Sequence, residues 1–292
     1  MRALITTPPA PPAIVDVEQP KPGPGEVLLR TIASALNPVD AQTVDGIYHD
    51  AGWAQEPSVG IGWDVTGEVI EVGDGVDTVG VGDVVAGLLG GIDKTIGTHA
   101  EQVVLPADAV APLPESVDPV AAATVPVNAQ TARQALALLG PERGSLLVTG
   151  AAGGVGGYAL ALAVDLGYDV TGLARETDRA FVESTGAAFT DRAEGTYDGV
   201  FDAAVLGDLS SVRDGGRYVG VKPADAPAPE RGITVEAVMV THAGDELASL
   251  LDLAAQGRLE LRVASTITLD EVPEKLKRLS DGGQRGRIVV AY

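Results

Sequence analysis

Hydrophobic and polar positions follow two different rhythms along this chain. Up to about residue 118, short Val-rich runs are broken by Gly, Pro or Asp: EVLLRTIAS, DVTGEVIEVG, VGDVVAGLLG and HAEQVVLPA. Runs of this kind read as strands closed by turns and predict a compact β-rich domain. From Val120 the spacing becomes helical in AAATVPVNAQTARQALALLG, and strand and helix patterns then alternate. SLLVT, DVTGLA, FDAAV, RYVGV and ITVEAVMV (233–240) read as strands, and VGGYALALAVDLG, DRAFVESTG and ELASLLDLAAQG as helices. That alternation predicts a doubly wound parallel sheet, hence an α/β fold. The tail from about Ser265 predicts a helix, LDEVPEKLKRLSDGG, and a strand, GRIVVAY. It is too short to bury a core alone and is expected to return to the first domain. The expected division is therefore 1–118, 119–264 and a returning segment 265–292.

One run complicates the pattern. Gly144 to Val164 holds 21 uncharged residues, long enough to raise a membrane span. Yet Gly144, Gly150, Gly153, Gly154, Gly156 and Gly157 crowd into it. A strand, then Gly150-x-x-Gly153-x-x-Gly156, then a long helix is the layout that lets a pyrophosphate approach a helix N-terminus. Gly150, Gly153, Gly154, Val155 and Gly156 are thus expected to hold a dinucleotide. At the ligand end of the next strand stand Arg175, Glu176 and Arg179. Two arginines there favour a 2′-phosphate, so NADPH is the expected cofactor and Glu176 the argument for NAD.

Composition narrows the partners. The chain has 292 residues, is 45% hydrophobic and carries a formal charge of −21. Such an acidic balance disfavours nucleic acid and anionic membrane surfaces, which need clustered Lys and Arg. Cysteine is absent and only His49, His99 and His242 supply imidazoles. No thiolate metal site, disulfide or thiol nucleophile is available, and no metal is expected. The start, MRALITTPPAPPAIV, is a poor secretory signal, so a cytoplasmic location is expected. The Tyr218 to Lys222 spacing matches the Tyr-x-x-x-Lys of short-chain dehydrogenases. That family carries the pair on a helix, whereas RYVGV reads as a strand, where residues four apart are separated by about 13 Å.

The chain resembles the medium-chain dehydrogenase/reductase superfamily and, within it, the zinc-independent quinone oxidoreductase (zeta-crystallin-like) family. The resemblance rests on KPGPGEVLLRTIASALNPVDAQTVDGIY, GIGWDVTGEVIEVGDGV, VGDVVAG, GTHAEQVVLPADAVAPLP, TVPVNAQTARQAL, VTGAAGGVG and GGQRGRIVV. It implies a GroES-like catalytic domain followed by a Rossmann nucleotide-binding domain. Zinc enzymes of the superfamily have Gly-His-Glu where this chain has Gly62-Trp63-Asp64, and a cysteine ligand near Asn37-Pro38-Val39-Asp40. The resemblance further implies that Asn37 and Tyr48 line the catalytic cleft and that Thr131 lies near the nicotinamide. Asn37 would donate an amide hydrogen bond, and Tyr48 would polarise or protonate the substrate oxygen. Trp63 is expected as an aromatic wall of the substrate pocket, His49 as a further proton donor, and Asp40 as a helix cap.

The activity so implied is NADPH-dependent reduction of quinones or α,β-unsaturated carbonyl compounds. Two alternatives are a dedicated enoyl or ketone reductase of a biosynthetic pathway and a nucleotide-binding protein with a non-redox role. The strand 233–240 is expected at a sheet edge, where a second subunit would pair to form a homodimer.

Overall fold

The computed structural model describes residues 1–279 and 282–292. Contacts divide it into two compact units, one of Met1–Val127, His242–Gly257 and Leu261–Tyr292, the other of Asn128–Thr241 and Arg258–Glu260. The chain opens with strands β1 (Arg2–Thr7), β2 (Ala10–Asp16) and β3 (Glu26–Ala35), then helices α1 (Pro38–Val44) and α2 (Ile47–Asp50). Strands β4 (Val59–Gly60), β5 (Asp64–Val72), β6 (Val84–Leu88), β7 (Gln102–Pro106) and β8 (Val110–Pro112) follow, and then helices α3 (Pro119–Ala122) and α4 (Pro126–Leu138). The alternating part comprises β9 (Ser145–Thr149), α5 (Gly154–Asp165), β10 (Asp169–Leu173), α6 (Arg179–Ser184), β11 (Ala188–Thr190), β12 (Tyr197–Asp202), β13 (Val212–Gly220) and β14 (Thr234–Ala237). Last come α7 (Gly244–Ala255), β15 (Val263–Ile267), α8 (Val272–Lys277) and β16 (Arg287–Ala291).

The first unit is built on a seven-stranded sheet ordered β15-β16-β3-β5-β6-β8, with β7 also on β3, and on a smaller sheet β2-β1-β4. β3 is its spine, because it pairs with β5, β7 and β16. Val27 and Leu29 of β3 pack with Val65, Val69, Val85, Val103 and Leu105. Each such fully buried side chain stabilises the fold by roughly 1.5–3 kcal/mol relative to exposure. Two differences from the sequence pattern have physical causes. The residues 242–257 group with this unit, because α7 packs on β8. The Pro-rich start is an antiparallel ribbon, β1 with β2, in which Pro11 and Pro12 lie on an outer strand that tolerates a missing N–H. The helix expected at 269–283 begins as a 3-10 turn, Leu269–Glu271, and continues as α8; Ser280 and Asp281 lie outside the described residues.

The second unit is a six-stranded, all-parallel sheet ordered β11-β10-β9-β12-β13-β14. The chain runs outward from β9 to β11 and then recrosses to β12, which makes the gap beyond β9 and β12 a topological switch point, the usual ligand position. The uncharged run that raised a membrane span divides into β9, whose Leu146, Leu147 and Val148 are buried, and α5, which buries Tyr158, Leu160 and Leu162. No helix among the described residues is long and apolar enough to cross a membrane. β14 occupies the sheet edge but spans only Thr234–Ala237, half of the expected 233–240, and β12 starts four residues before the expected FDAAV.

Candidate functional site

In the second unit, β9 ends at Thr149 and the chain turns through Gly150 into α5. Gly150 has φ +58, and a Cβ on Gly156 would lie 2.2 Å from the Gly150 carbonyl oxygen. Only glycine allows the helix to start so close to the turn. Gly153 is the N-cap and offers no side chain, so the first-turn N–H groups of Gly154, Val155 and Gly156 remain for an anion. This crest fits a dinucleotide pyrophosphate. Its base is fixed by the buried Asp202 at the end of β12, which accepts hydrogen bonds from Thr149 Oγ1, Gly207 N–H at 2.9 Å and Tyr218 O–H at 2.7 Å. Tyr218 lies on β13, and Lys222 pairs with Asp225 instead. The short-chain dehydrogenase arrangement is therefore absent. Tyr218 holds its proton well above the usual tyrosine range, first because it is buried and then because it donates to Asp202.

The two arginines differ. Arg179 grips Glu176 with two hydrogen bonds of 2.7 and 2.8 Å and lies over the Phe189 ring. Arg175, exposed just after β10, has no hydrogen-bond or ion-pair partner for its guanidinium among the described residues. Its donors are available to a 2′-phosphate, whereas Arg179 and the rival Glu176 satisfy each other. Thr131 is buried within α4, in the same unit.

In the first unit, Asn37, Trp63 and Asp40 form part of one polar cluster. Asp40 sits at the third position of α1, and its carboxylate accepts the Asn37 N–H at 2.8 Å and the Gly62 N–H at 3.1 Å. It is thus the reciprocal half of a capping box. Gly62 has φ +109, and a Cβ there would meet His99 N and Thr98 Oγ1 at 2.5 Å, so a glycine is needed for the chain to reach Asp40. Both amide hydrogens of Asn37 are used within the fold, one on Asp64 Oδ2 at 2.6 Å and one on the Ala35 carbonyl at 3.2 Å. Asp64 also accepts the N–H of Val127 in the first turn of α4. Complete burial pushes Asp64 up to about 7 against those two bonds. His99, also fully buried, places Nδ1 2.8 Å from Ser34 Oγ and Nε2 3.6 Å from Asp40 Oδ2. Ser34, His99 and Asp40 have the makeup of a hydrolytic triad, but all three are sealed from solvent.

Sequence reasoning missed Lys94. Its Nζ donates to the carbonyls of Gly62 at 2.8 Å and Leu89 at 3.1 Å and lies 4.5 Å from the centre of the Trp63 ring. Burial pushes the ammonium down to about 7, although Asp40 and Asp64 pull it up. A signal for it existed: Lys94 is the sole Lys or Arg between Arg30 and Arg133.

Tyr48 and His49 lie on α2. Tyr48 is half-buried, stacks on Trp53 with ring centres 5.8 Å apart, and donates its hydroxyl proton to Gln42 Oε1 at 2.6 Å. Burial and then Asp40 raise its pKa, so it is protonated at neutral pH. His49 Nε2 lies 3.0 Å from the Glu56 carbonyl, which fixes Nε2 as the donor and leaves Nδ1 buried with no hydrogen-bond partner among the described residues.

A glycine crest at the switch point of a doubly wound parallel sheet is the layout of a dinucleotide-binding unit. Residues 23–115 match the family model of the alcohol dehydrogenase GroES-like domain, and residues 175–290 that of a zinc-binding dehydrogenase. The solved quinone oxidoreductase from Coxiella burnetii is similar over 100% of this chain and 99% of its own, with a TM-score of 0.90 and 26% identity. An L-threonine 3-dehydrogenase from Pyrococcus abyssi is 32% identical over 80% of this chain and 72% of its own, and an acryloyl-coenzyme A reductase from Metallosphaera sedula 26% identical over 94% and 95%. The chain belongs to the medium-chain dehydrogenase/reductase superfamily and is quinone oxidoreductase-like. The donor set does not fit zinc: the chain has no cysteine, and no three His, Asp or Glu side chains among the described residues converge on one point.

Proposed function

We propose that this protein is a zinc-independent, NADPH-dependent oxidoreductase that reduces quinones or the double bond of α,β-unsaturated carbonyl compounds. The glycine crest carries the reading: an uncapped helix start at a switch point, in a chain whose relatives are oxidoreductases. The bound nicotinamide supplies the hydride. NADPH is favoured over NADH by Arg175, whose guanidinium has no internal partner among the described residues. Thr131 orients the nicotinamide end, Tyr48 and Trp63 form aromatic walls for a flat substrate, and Asn37 positions Asp64 rather than touching substrate. The protein acts in the cytoplasm as a homodimer through the β14 edge, and a monomer by light scattering at micromolar concentration would remove that assembly.

The test is steady-state NADPH oxidation across 1,4-benzoquinone, other quinones and 2-cyclohexen-1-one. Oxidation with at least one class is expected; none across the panel contradicts the reading. The acryloyl-coenzyme A reductase relative favours a second reading, a reductase dedicated to one enoyl metabolite. Its mark is one acceptor with kcat/KM far above those of simple quinones.

A further inference from the structure

The donors expected at the substrate oxygen are occupied. Asn37 has spent both amide hydrogens on Asp64 and Ala35, and Tyr48 has spent its single proton on Gln42. A carbonyl that accepts hydride needs a donor, because negative charge develops on its oxygen.

Lys94 is the group able to supply it. An ammonium carries three N–H donors. Two of these bind the Gly62 and Leu89 carbonyls, and the third has no acceptor among the described residues. The charged groups that face it are Asp40 from α1 and Asp64 from β5, and both are saturated by other donors. Asp40 and Asp64 act on Lys94 through charge alone, and neither lies within ion-pair distance of it. The residue is also pinned through its backbone, whose carbonyl accepts the Gly60 N–H and whose N–H donates to Ile92. The ring of Trp63 lies 4.5 Å from Nζ and presents its face to the ammonium. Two carbonyls alone could be tied by a neutral amide; a partly buried cation is an expensive way to hold a loop.

We propose that the Lys94 ammonium donates a hydrogen bond, and then a proton, to the substrate oxygen on which negative charge develops, an assignment that rests on the reductase reading above. When the acceptor carbon gains the hydride that a bound nicotinamide would supply, its π pair would move to oxygen, the Nζ–H bond would break and an O–H bond would form. The neutral amine regains its proton from water, so one acceptor gains two electrons and two hydrogens while one nicotinamide is oxidised. The lowered pKa of Lys94, about 7, suits a proton donor at neutral pH.

The test uses the full-length chain and three variants. K94Q keeps neutral donors for the two carbonyls, K94R keeps the charge, and K94M keeps neither. The first readout needs no turnover: 4-nitrophenolate is titrated by absorbance as a mimic of the developing oxyanion. Wild type and K94R are expected to bind the anion at least about tenfold more tightly than K94Q and K94M. NADPH affinity should stay within about twofold in all four, because the crest lies elsewhere in the chain. The second readout is kcat/KM for 1,4-benzoquinone, which should fall about 100-fold in K94Q. The wild-type rate should decline above about pH 7, while K94R stays flat from neutral into alkaline pH. Equal phenolate affinity in wild type and K94Q overturns the assignment, whether or not the wild type turns over. Phenolate binding that depends on Lys94, without NADPH oxidation by any acceptor, overturns the reductase reading alone and leaves Lys94 as an anion donor.

Discussion

The glycine crest of the second unit and the polar cluster of the first solve opposite problems. At the crest the chain strips side chains away, so that the first-turn N–H groups of Gly154, Val155 and Gly156 remain for an anion. Around Asp40, Asp64 and Lys94 it does the reverse, burying charged side chains, with backbone and amide donors on the two carboxylates and backbone carbonyls on the ammonium. The crest depends on space and helix polarity, whereas the cluster depends on desolvated charge whose pKa values are moved toward neutrality. Substitutions should therefore separate the two regions by what they damage.

The largest effect belongs to the crest. G156V drives a Cβ into the Gly150 carbonyl and should weaken NADPH binding more than about 100-fold while costing roughly 2–3 kcal/mol of stability, checked by fluorescence titration and urea unfolding. In the cluster, D64A orphans the Asn37 amide and the Val127 N–H and should cost about 3 kcal/mol in urea, with the nucleotide site spared.

D64N gives a smaller but more specific signature. Burial raises Asp64 to about 7, so over mildly acidic pH the folded chain keeps a proton that the unfolded chain has released. That stabilising contribution is full below the unfolded carboxylate pKa and is lost as pH rises through about 7. Wild-type stability should thus fall across this window relative to D64N, by at most about 1.4 kcal/mol per pH unit, as followed by chemical denaturation at stepped pH. The smallest effect is at the adenosine end. R175A should weaken NADPH about tenfold and leave NADH unchanged, whereas R179A should change NADPH less than about twofold, because Glu176 already holds that guanidinium.

The contrast also explains what the sequence made legible. Glycines 150, 153 and 156 act within one turn, so their spacing alone announces the crest, and the same cluster argues against a membrane span for residues 144–164. Strand limits were less legible, since the end of β12 and the shortness of β14 are set by pairing partners rather than by local pattern. Asn37 and Trp63 were visible by resemblance, but the hydrogen bonds that Asn37 gives to Asp64 and Ala35 were not, because Asp64 meets it only on folding. Lys94 was marked only as a lone cation in an acidic half: its partners Gly62 and Leu89 meet it only after folding, and it stands in a loop with no period.

Equilibrium titration of the wild-type protein with NADPH and NADH, read by nicotinamide fluorescence, tests the central claim most directly. Saturable binding of one NADPH per chain at micromolar concentration, tighter than NADH, is the predicted result. Failure of either nucleotide to bind would contradict the assignment of the glycine crest and the oxidoreductase function built on it.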